Sequence, residues 1–275
     1  MTRIAIAQMQ TGIDPVRNAA ALADAAGQAA QGGAAMLFTP EMTGLLDRDR
    51  ARAAQSICTE ETDPVLAAAR EAAAANDISV AIGSLALRVD EGGKWVNRSF
   101  VIDRSGKIIA RYDKMHMFDV DLDSGESWRE SNAYRAGEAP CVVDTALGTL
   151  GLTVCYDIRF PALFDALGRA GCDAIAIPAA FTKPTGKAHW HILQRARAIE
   201  ASAYVVAAAQ VGRHEDGRET YGHSLVVDPW GEVLLDLGGE EPGIGFAEID
   251  PQRISQVRAQ VPSLANRRDI PKSIV

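Results

Sequence analysis

Residues 147–161 read LGTLGLTVCYDIRFP, and the rest of the chain can be organised around this stretch. Residues 149–154 are apolar and partly β-branched, which predicts a buried strand. Asp157, Arg159 and Pro161 break that pattern, and ALFDALGRAG after them has helical spacing. Cys155 therefore falls at a strand-to-helix turn. Such a turn can lift a side chain out of the core, as in the sharp turn that exposes a hydrolase serine. A thiol there can also be a small apolar group packed under the strand, since free cysteines are among the most buried residues. The choice depends on which other groups the chain delivers to matching positions.

Working outward, residues 4–9 read as a strand and 15–30 as an alanine-rich helix with Asp14 as N-cap and Pro15 in its first turn. Residues 34–39 form the next strand, which gives a β-α-β unit. Residues 64–75 make a second helix with the same Asp-Pro start, and 78–87 return to strand. Residues 161–170 and 173–178 complete a second strand-helix-strand unit with the Cys155 strand. The helix over 187–202 carries Ile192, Leu193, Ala196, Ile199 and Ala203 at helical spacing, which predicts that this face is buried. It leads into the apolar strand YVVAAAQV.

Residues 99–109 (SFVIDRSGKII) and 224–234 (SLVVDPWGEVL) echo one another in a Ser-x-x-x-Asp-x-x-Gly frame. Each reads as a β-hairpin with a tight turn. Both halves thus hold βαβ pieces and a hairpin, which predicts two similar sheets packed face to face with helices outside. No linker or low-complexity segment interrupts the pattern, so residues 1–275 read as one domain.

The 275 residues carry a net charge of −8, with 47% hydrophobic and 23% charged residues. Those values fit a soluble globular chain and lack the basic face that nucleic acid demands. Lysine and arginine are scattered, so no membrane-surface stripe forms. No run of ~18 apolar residues exists, and the start MTRIAIAQM lacks a signal-peptide pattern. Cys58, Cys141, Cys155 and Cys172 show no metal-ligand spacing and read as reduced thiols in a cytoplasm.

Three groups recur after strands: Glu41 after MLFTP, Lys114 after KIIARYD and Cys155 after LGLTV. Strand ends bring such residues to one edge of a sheet, where sites form. Together they suit amide hydrolysis: a thiol attacks a carbonyl, a carboxylate moves the proton and an ammonium stabilises the oxyanion. A lysine nearby is expected to favour the thiolate.

The stretches FTPEMTG around Glu41, YDKMHMFDVD around Lys114 and CYDIRFP at Cys155 resemble the three motifs of the nitrilase superfamily of carbon–nitrogen hydrolases, in its order. The resemblance runs from RIAIAQMQ to the hairpin near Trp230. It implies an α/β fold, a four-layer α-β-β-α sandwich of two packed mixed sheets with outer helices, and homodimers or larger homo-oligomers. It implies Glu41 as general base, Lys114 as oxyanion stabiliser, Cys155 as nucleophile and the Tyr156 backbone N–H as a second oxyanion donor. A second glutamate is implied after the lysine motif. Glu126, Glu130 and Glu138 are available, and Glu130 matches best. Arg159, Phe181 and Thr185 are implied as substrate-binding residues.

Residues 188–231 are similar to the Nit branch, and within it to deaminated glutathione amidases more than to ω-amidases. Ala162, where relatives carry Glu, and the loop 182–187 depart from the pattern. The resemblance implies a cofactor-free amidase with no metal, acting on a small-molecule amide of a 2-oxo acid. An ω-amidase on 2-oxoglutaramate, an N-carbamoyl amidohydrolase and a non-catalytic interaction subunit are the rival readings. Arg213 and His214 are candidates for contacting the leaving group.

The histidines look unpromising. His189 and His191 lie two apart on a helix and point apart, a poor metal pair, while His116, His214 and His223 are dispersed. Glu200 reads as a buried structural acid paired with Arg195 or Arg197.

Overall fold

The computed structural model describes residues 1–89, 93–121, 123, 125 and 127–269. The first half of the chain runs β1 (Thr2–Gln8), α1 (Pro15–Gln31), β2 (Met36–Phe38), α2 (Arg50–Ser56), α3 (Pro64–Ala75), β3 (Ser79–Arg88), β4 (Trp95–Ile102) and β5 (Ile108–Asp113). A short ribbon of β6 (Asp119–Asp121) and β7 (Ser127–Arg129) follows. The second half runs β8 (Cys141–Thr145), β9 (Gly148–Leu152), α4 (Pro161–Arg169), β10 (Ala174–Ala176), α5 (Lys183–Ala201) and β11 (Tyr204–Ala207). A second ribbon, β12 (Val211–Arg213) with β13 (Glu219–Tyr221), precedes β14 (Leu225–Val227), β15 (Val233–Asp236), β16 (Gly243–Ile249) and α6 (Pro251–Gln260).

Two six-stranded sheets result, in the orders β16-β1-β2-β3-β4-β5 and β15-β14-β11-β10-β9-β8. Each has three parallel strands at its centre, β1-β2-β3 in one and β9-β10-β11 in the other. Each continues into an antiparallel hairpin, β4–β5 or β14–β15, and each takes one antiparallel strand on its other side. The internal echo is thus a structural repeat. In one turn Asp103 accepts hydrogen bonds from the Ser105 and Lys107 N–H groups; in the other Asp228 accepts from Trp230 and Glu232. Gly106 and Gly231 both take φ near +80 to +90° (80° and 89°), a conformation that favours glycine.

Period-2 alternation decides the layers. Ile4 and Ile6 of β1 point between the sheets, into a core shared with Leu150 and Leu152 of β9. Ala5 and Ala7 point the other way, toward Leu22 and Ala26 of α1 and Leu66 of α3. Phe164 of α4 and Trp190 of α5 pack on the second sheet. The order is α-β-β-α. Asp14, Asp63 and Asp250 each cap a helix whose first residue is proline.

Helix α5 departs from the sequence expectation. It begins at Lys183, four residues earlier than predicted, with Pro184 in its first turn, and ends where Ser202 turns left-handed at φ 48°. Its predicted face is only partly buried: Leu193 packs against the core, Ala196 is half-buried and Ala203 is buried, but two of the five residues are not. Ile192 is 69% and Ile199 49% exposed, while Trp190, Gln194, Arg197 and Ala198 are buried. Tertiary partners explain the difference: Trp190 Nε1 donates to the His223 carbonyl and Arg197 Nε to the Ile158 carbonyl. Glu200 is exposed rather than buried, although it does pair with Arg197 at 2.6 Å.

Candidate active site

Glu41 follows β2 by three residues, Lys114 follows β5 by one and Cys155 follows β9 by three, so both sheets deliver polar groups to one rim. The Glu41 turn is held by tight packing. A Cβ on Gly83 would lie 2.2 Å from the Thr39 carbonyl oxygen, so only glycine lets β3 approach. Thr39 Oγ1 accepts from Gly83 N, and the Thr43 hydroxyl donates to the Pro40 carbonyl at 2.6 Å.

Lys114 is 2% exposed. Its ammonium donates to Glu41 Oε1 at 2.8 Å and to Glu130 Oε2 at 2.9 Å and Oε1 at 3.1 Å. Glu130 is fixed further by the Phe118 N–H at 2.7 Å, and Glu41 Oε2 accepts from the Ala180 N–H at 2.9 Å. Among the candidate second glutamates, Glu130 meets the lysine, Glu138 is exposed and Glu126 lies outside the described residues. Asn97 of β4, which the sequence reading did not single out, donates through Nδ2 to both Glu41 (3.0 Å) and Glu130 (3.1 Å). Its signal was a polar residue at a buried position of an apolar strand.

Cys155 sits at φ 49°, a strained backbone for a non-glycine residue, with its N–H donating to the Pro178 carbonyl at 2.8 Å. Asp157 holds this turn. Its fully buried carboxylate accepts from Val154 N, His116 N and Tyr112 Oη at 2.8, 3.0 and 2.7 Å, and pairs with His116 Nδ1 at 2.7 Å. Tyr112 and His116 flank Lys114, so one carboxylate ties the lysine segment to the cysteine turn. In the sequence Asp157 registered only as a strand breaker.

The electrostatics qualify one expectation. Burial, and then the Glu41 charge, push the Cys155 thiol well above its ordinary range; Lys114 opposes them without prevailing. Lys114 does favour the thiolate as expected, but burial and Glu41 outweigh it, so the balance favours the neutral thiol. Burial also acts to raise Glu41, but the charge and hydrogen bond of Lys114 outweigh it and hold the carboxyl below its usual value. Burial works against the Lys114 ammonium, and Glu130 and Glu41 together keep it charged. A neutral thiol beside an ionised carboxylate is the arrangement in which attack and proton removal occur together.

These groups face a cavity of about 260 Å³ lined by Glu41, Lys114, Glu130, Cys155, Tyr156, Phe181 and Thr185. Arg159 is not among its lining residues. Its guanidinium lies across Phe181 (5.2 Å) and Tyr156 (5.9 Å) and contacts His189 Nδ1 at 3.3 Å. Arg213 and His214 do not line it either. Arg213 is exposed, and His214 is buried between the Thr11 carbonyl and the Thr220 hydroxyl. The wall also carries an aromatic ring between two cations: Arg48 and Arg218 both stack on Trp128, at 5.7 and 5.0 Å, with Arg218 paired to buried Asp216 at 2.7 Å. Trp128 Nε1 is a buried donor with no partner among the described residues. His189 and His191 diverge as expected, whereas His223, read as dispersed, meets His191 with rings 4.9 Å apart.

Residues 3–259 match the carbon–nitrogen hydrolase family. The deaminated glutathione amidase of Yersinia enterocolitica is 41% identical over 241 residues, 86% of this chain and 82% of that one. The deaminated glutathione amidase of Synechocystis is 48% identical over 179 residues, which span 64% of this chain and 65% of that relative. The crystal structure of the C. elegans NitFhit protein superposes with a TM-score of 0.89 at 34% identity, covering 97% of this chain and 65% of that longer one. With a family match over nearly its whole length and a sandwich that superposes on a Nit structure, the chain belongs to the carbon–nitrogen hydrolase family of the nitrilase superfamily.

Proposed function

We propose that the protein is a cofactor-free thiol amidase that cleaves the ω-amide of a small 2-oxo acid, with deaminated glutathione as its preferred substrate. The main support is the buried Lys114 ammonium, bridging Glu41 and Glu130 in the cavity that also holds Cys155. Cys155 Sγ attacks the amide carbon while Glu41 takes the thiol proton. The oxyanion is stabilised by Lys114 Nζ and the Tyr156 N–H. Glu41 returns the proton to the departing amine, which leaves as cysteinylglycine. Water, deprotonated by Glu41, then hydrolyses the 2-oxoglutaryl thioester to 2-oxoglutarate. Glu130 and Asn97 position Lys114 and Glu41. Phe181 and Thr185 hold the 2-oxo acid end; Arg159, which now lies across Phe181 and Tyr156 outside the cavity lining, would have to turn off those rings to pair with its carboxylate. The relatives named deaminated glutathione amidase support the substrate, and so does the Arg48–Trp128–Arg218 wall, since the leaving half carries a second carboxylate.

The reading includes one domain over residues 1–275 acting in the cytoplasm as a homodimer or larger homo-oligomer. Exposed Ile192, Ile199, Trp230, Val233 and Leu234, all 40% or more exposed, supply apolar surface for a second copy. No helix among the described residues is long and apolar enough to cross a membrane.

The test is amine or ammonia release from a substrate panel. Deaminated glutathione should show the highest kcat/KM, above 2-oxoglutaramate, because only the larger substrate reaches the Arg48–Trp128–Arg218 wall. If the small amide runs equally fast or faster, the enzyme is an ω-amidase. Turnover confined to N-carbamoyl compounds would make it a carbamoyl hydrolase, and no turnover at all would leave an interaction subunit.

A further inference from the structure

A second polar cluster lies outside the cavity, where α5 crosses the β14–β15 hairpin. His191 Nε2 stands 3.0 Å from Asp236 Oδ2, and His223 Nδ1 stands 2.9 Å from Asp236 Oδ1. One ligand atom from each of the three residues falls within 4.8 Å of the others. We propose that His191, His223 and Asp236 form a binding site for a divalent transition ion of the zinc class.

Two imidazoles and a carboxylate are borderline donors that suit zinc, copper or nickel better than calcium or magnesium. Ligand atoms around a tetrahedral zinc lie ~3.3 Å apart, given metal–ligand lengths of about 2.0–2.2 Å. The histidine–carboxylate spacings are already close to that, and the three ligand atoms, all within 4.8 Å of one another, would draw together as the ion seats. Each nitrogen now facing Asp236 would lose its proton or tautomerise, keeping the ring N–H on the opposite nitrogen.

The donors are held in advance from outside the cluster. Asp236 Oδ1 accepts from the Gly238 N–H at 2.9 Å. The His223 backbone, left-handed at φ 55°, is pinned on both sides: its N–H donates to the Gly238 carbonyl at 2.7 Å and its carbonyl accepts from Trp190 Nε1 at 2.8 Å. The His223 ring is stacked on Tyr221, with centroids 4.4 Å apart. A Cβ on Gly239 would come within 2.9 Å of His223 Nε2, so a glycine there leaves the ring its place. The side chains of His191, His223 and Asp236 are 35%, 25% and 33% exposed, which gives an ion a path in and water a coordination position. Bound there, the ion would clamp α5 to the end of the second hairpin and to His223, three residues beyond Thr220 of the cavity wall.

The experiment is calorimetric titration of the full, chelator-treated chain with Zn2+, paired with melting curves. The expected result is one ion per chain with a dissociation constant in the micromolar range or tighter, and a raised melting temperature. His191→Ala, on the solvent side of α5, and Asp236→Asn should each weaken binding by at least about tenfold. His223→Asn, which tolerates the left-handed backbone, should do the same. Cys155→Ala should bind zinc as the wild type does. No saturable binding up to about a millimolar concentration, undiminished binding in His191→Ala, or binding lost with Cys155→Ala would each overturn the assignment.

Discussion

The hairpins β4–β5 and β14–β15 share one frame and carry different chemistry. Both turn on an aspartate that accepts two backbone N–H groups and on a left-handed glycine. The first brings Asn97 and, at its end, Lys114 into a site where the ammonium is 2% exposed and donates only to carboxylates, which Asn97 also supports. The second has His223 just before it and Asp236 at its end, in a cluster about a third exposed. The repeat therefore supplies scaffold, and the flanking residues supply function. Burial makes the difference between them, because the same charge contact is worth far more where water is excluded.

Between the two hairpins, the largest effect is expected at the end of the first. Lys114→Met removes the proposed oxyanion donor and leaves the Glu41 and Glu130 carboxylates without the cation between them. The expected loss in kcat/KM is on the order of 10²–10³, read by steady-state kinetics with circular dichroism as the folding control. Near-normal kcat/KM would remove Lys114 from the mechanism. Asn97→Leu should cost less, about tenfold to a hundredfold, because it frees the carboxylates without deleting a reacting group. If it leaves the rate unchanged, the shared Nδ2 contacts are structural only.

The two turns offer a matched stability comparison. Asp103→Ala should cost about 1 kcal/mol, the worth of its backbone hydrogen bonds. Asp228→Ala should cost more, about 2 kcal/mol, because Asp228 is buried and also pairs with Arg253 at 2.7 Å. Urea melts give both numbers. Equal losses would mean that the second turn draws nothing from its extra ion pair.

A smaller shift is expected in the acid limb of the pH profile. In the proposed mechanism Glu41 must be ionised to accept the thiol proton, and Lys114 holds its carboxyl below the usual carboxylate value, so the limb in kcat/KM should lie on the acid side of an ordinary glutamate. A carboxylate depressed on folding contributes stability that is present above its unfolded value and lost as pH falls through the folded one. With Lys114→Met, burial dominates and the limb of the residual activity should move upward. A limb that stays put would assign it to another group.

Most of this architecture was legible in the sequence because it rests on local signals. Asp-Pro helix starts, the repeated hairpin frame and the residues after MLFTP, KIIARYD and LGLTV all kept their predicted places. What failed was non-local. The face of α5 could be read only in part from apolar spacing, because Trp190 and Arg197 find acceptors on distant segments while Ile192 and Ile199 are left outside. The thiol's protonation depends on burial and on Glu41, more than 100 positions away in sequence. Arg48 and Arg218 join one wall only because Trp128 lies between them, and His191 meets His223 only once α5 is docked.

In the proposed reaction Cys155 becomes acylated by the 2-oxo acid half of the substrate. Rapid-quench mass spectrometry of the intact chain during turnover of deaminated glutathione tests it most directly, followed by peptide mapping. The account predicts one 2-oxoglutaryl group, carried on the peptide containing Cys155 and absent from Cys155→Ala, which should be inactive but folded. An adduct on Cys58, Cys141 or Cys172, or turnover that persists in Cys155→Ala above roughly a thousandth of the wild-type rate, would contradict it.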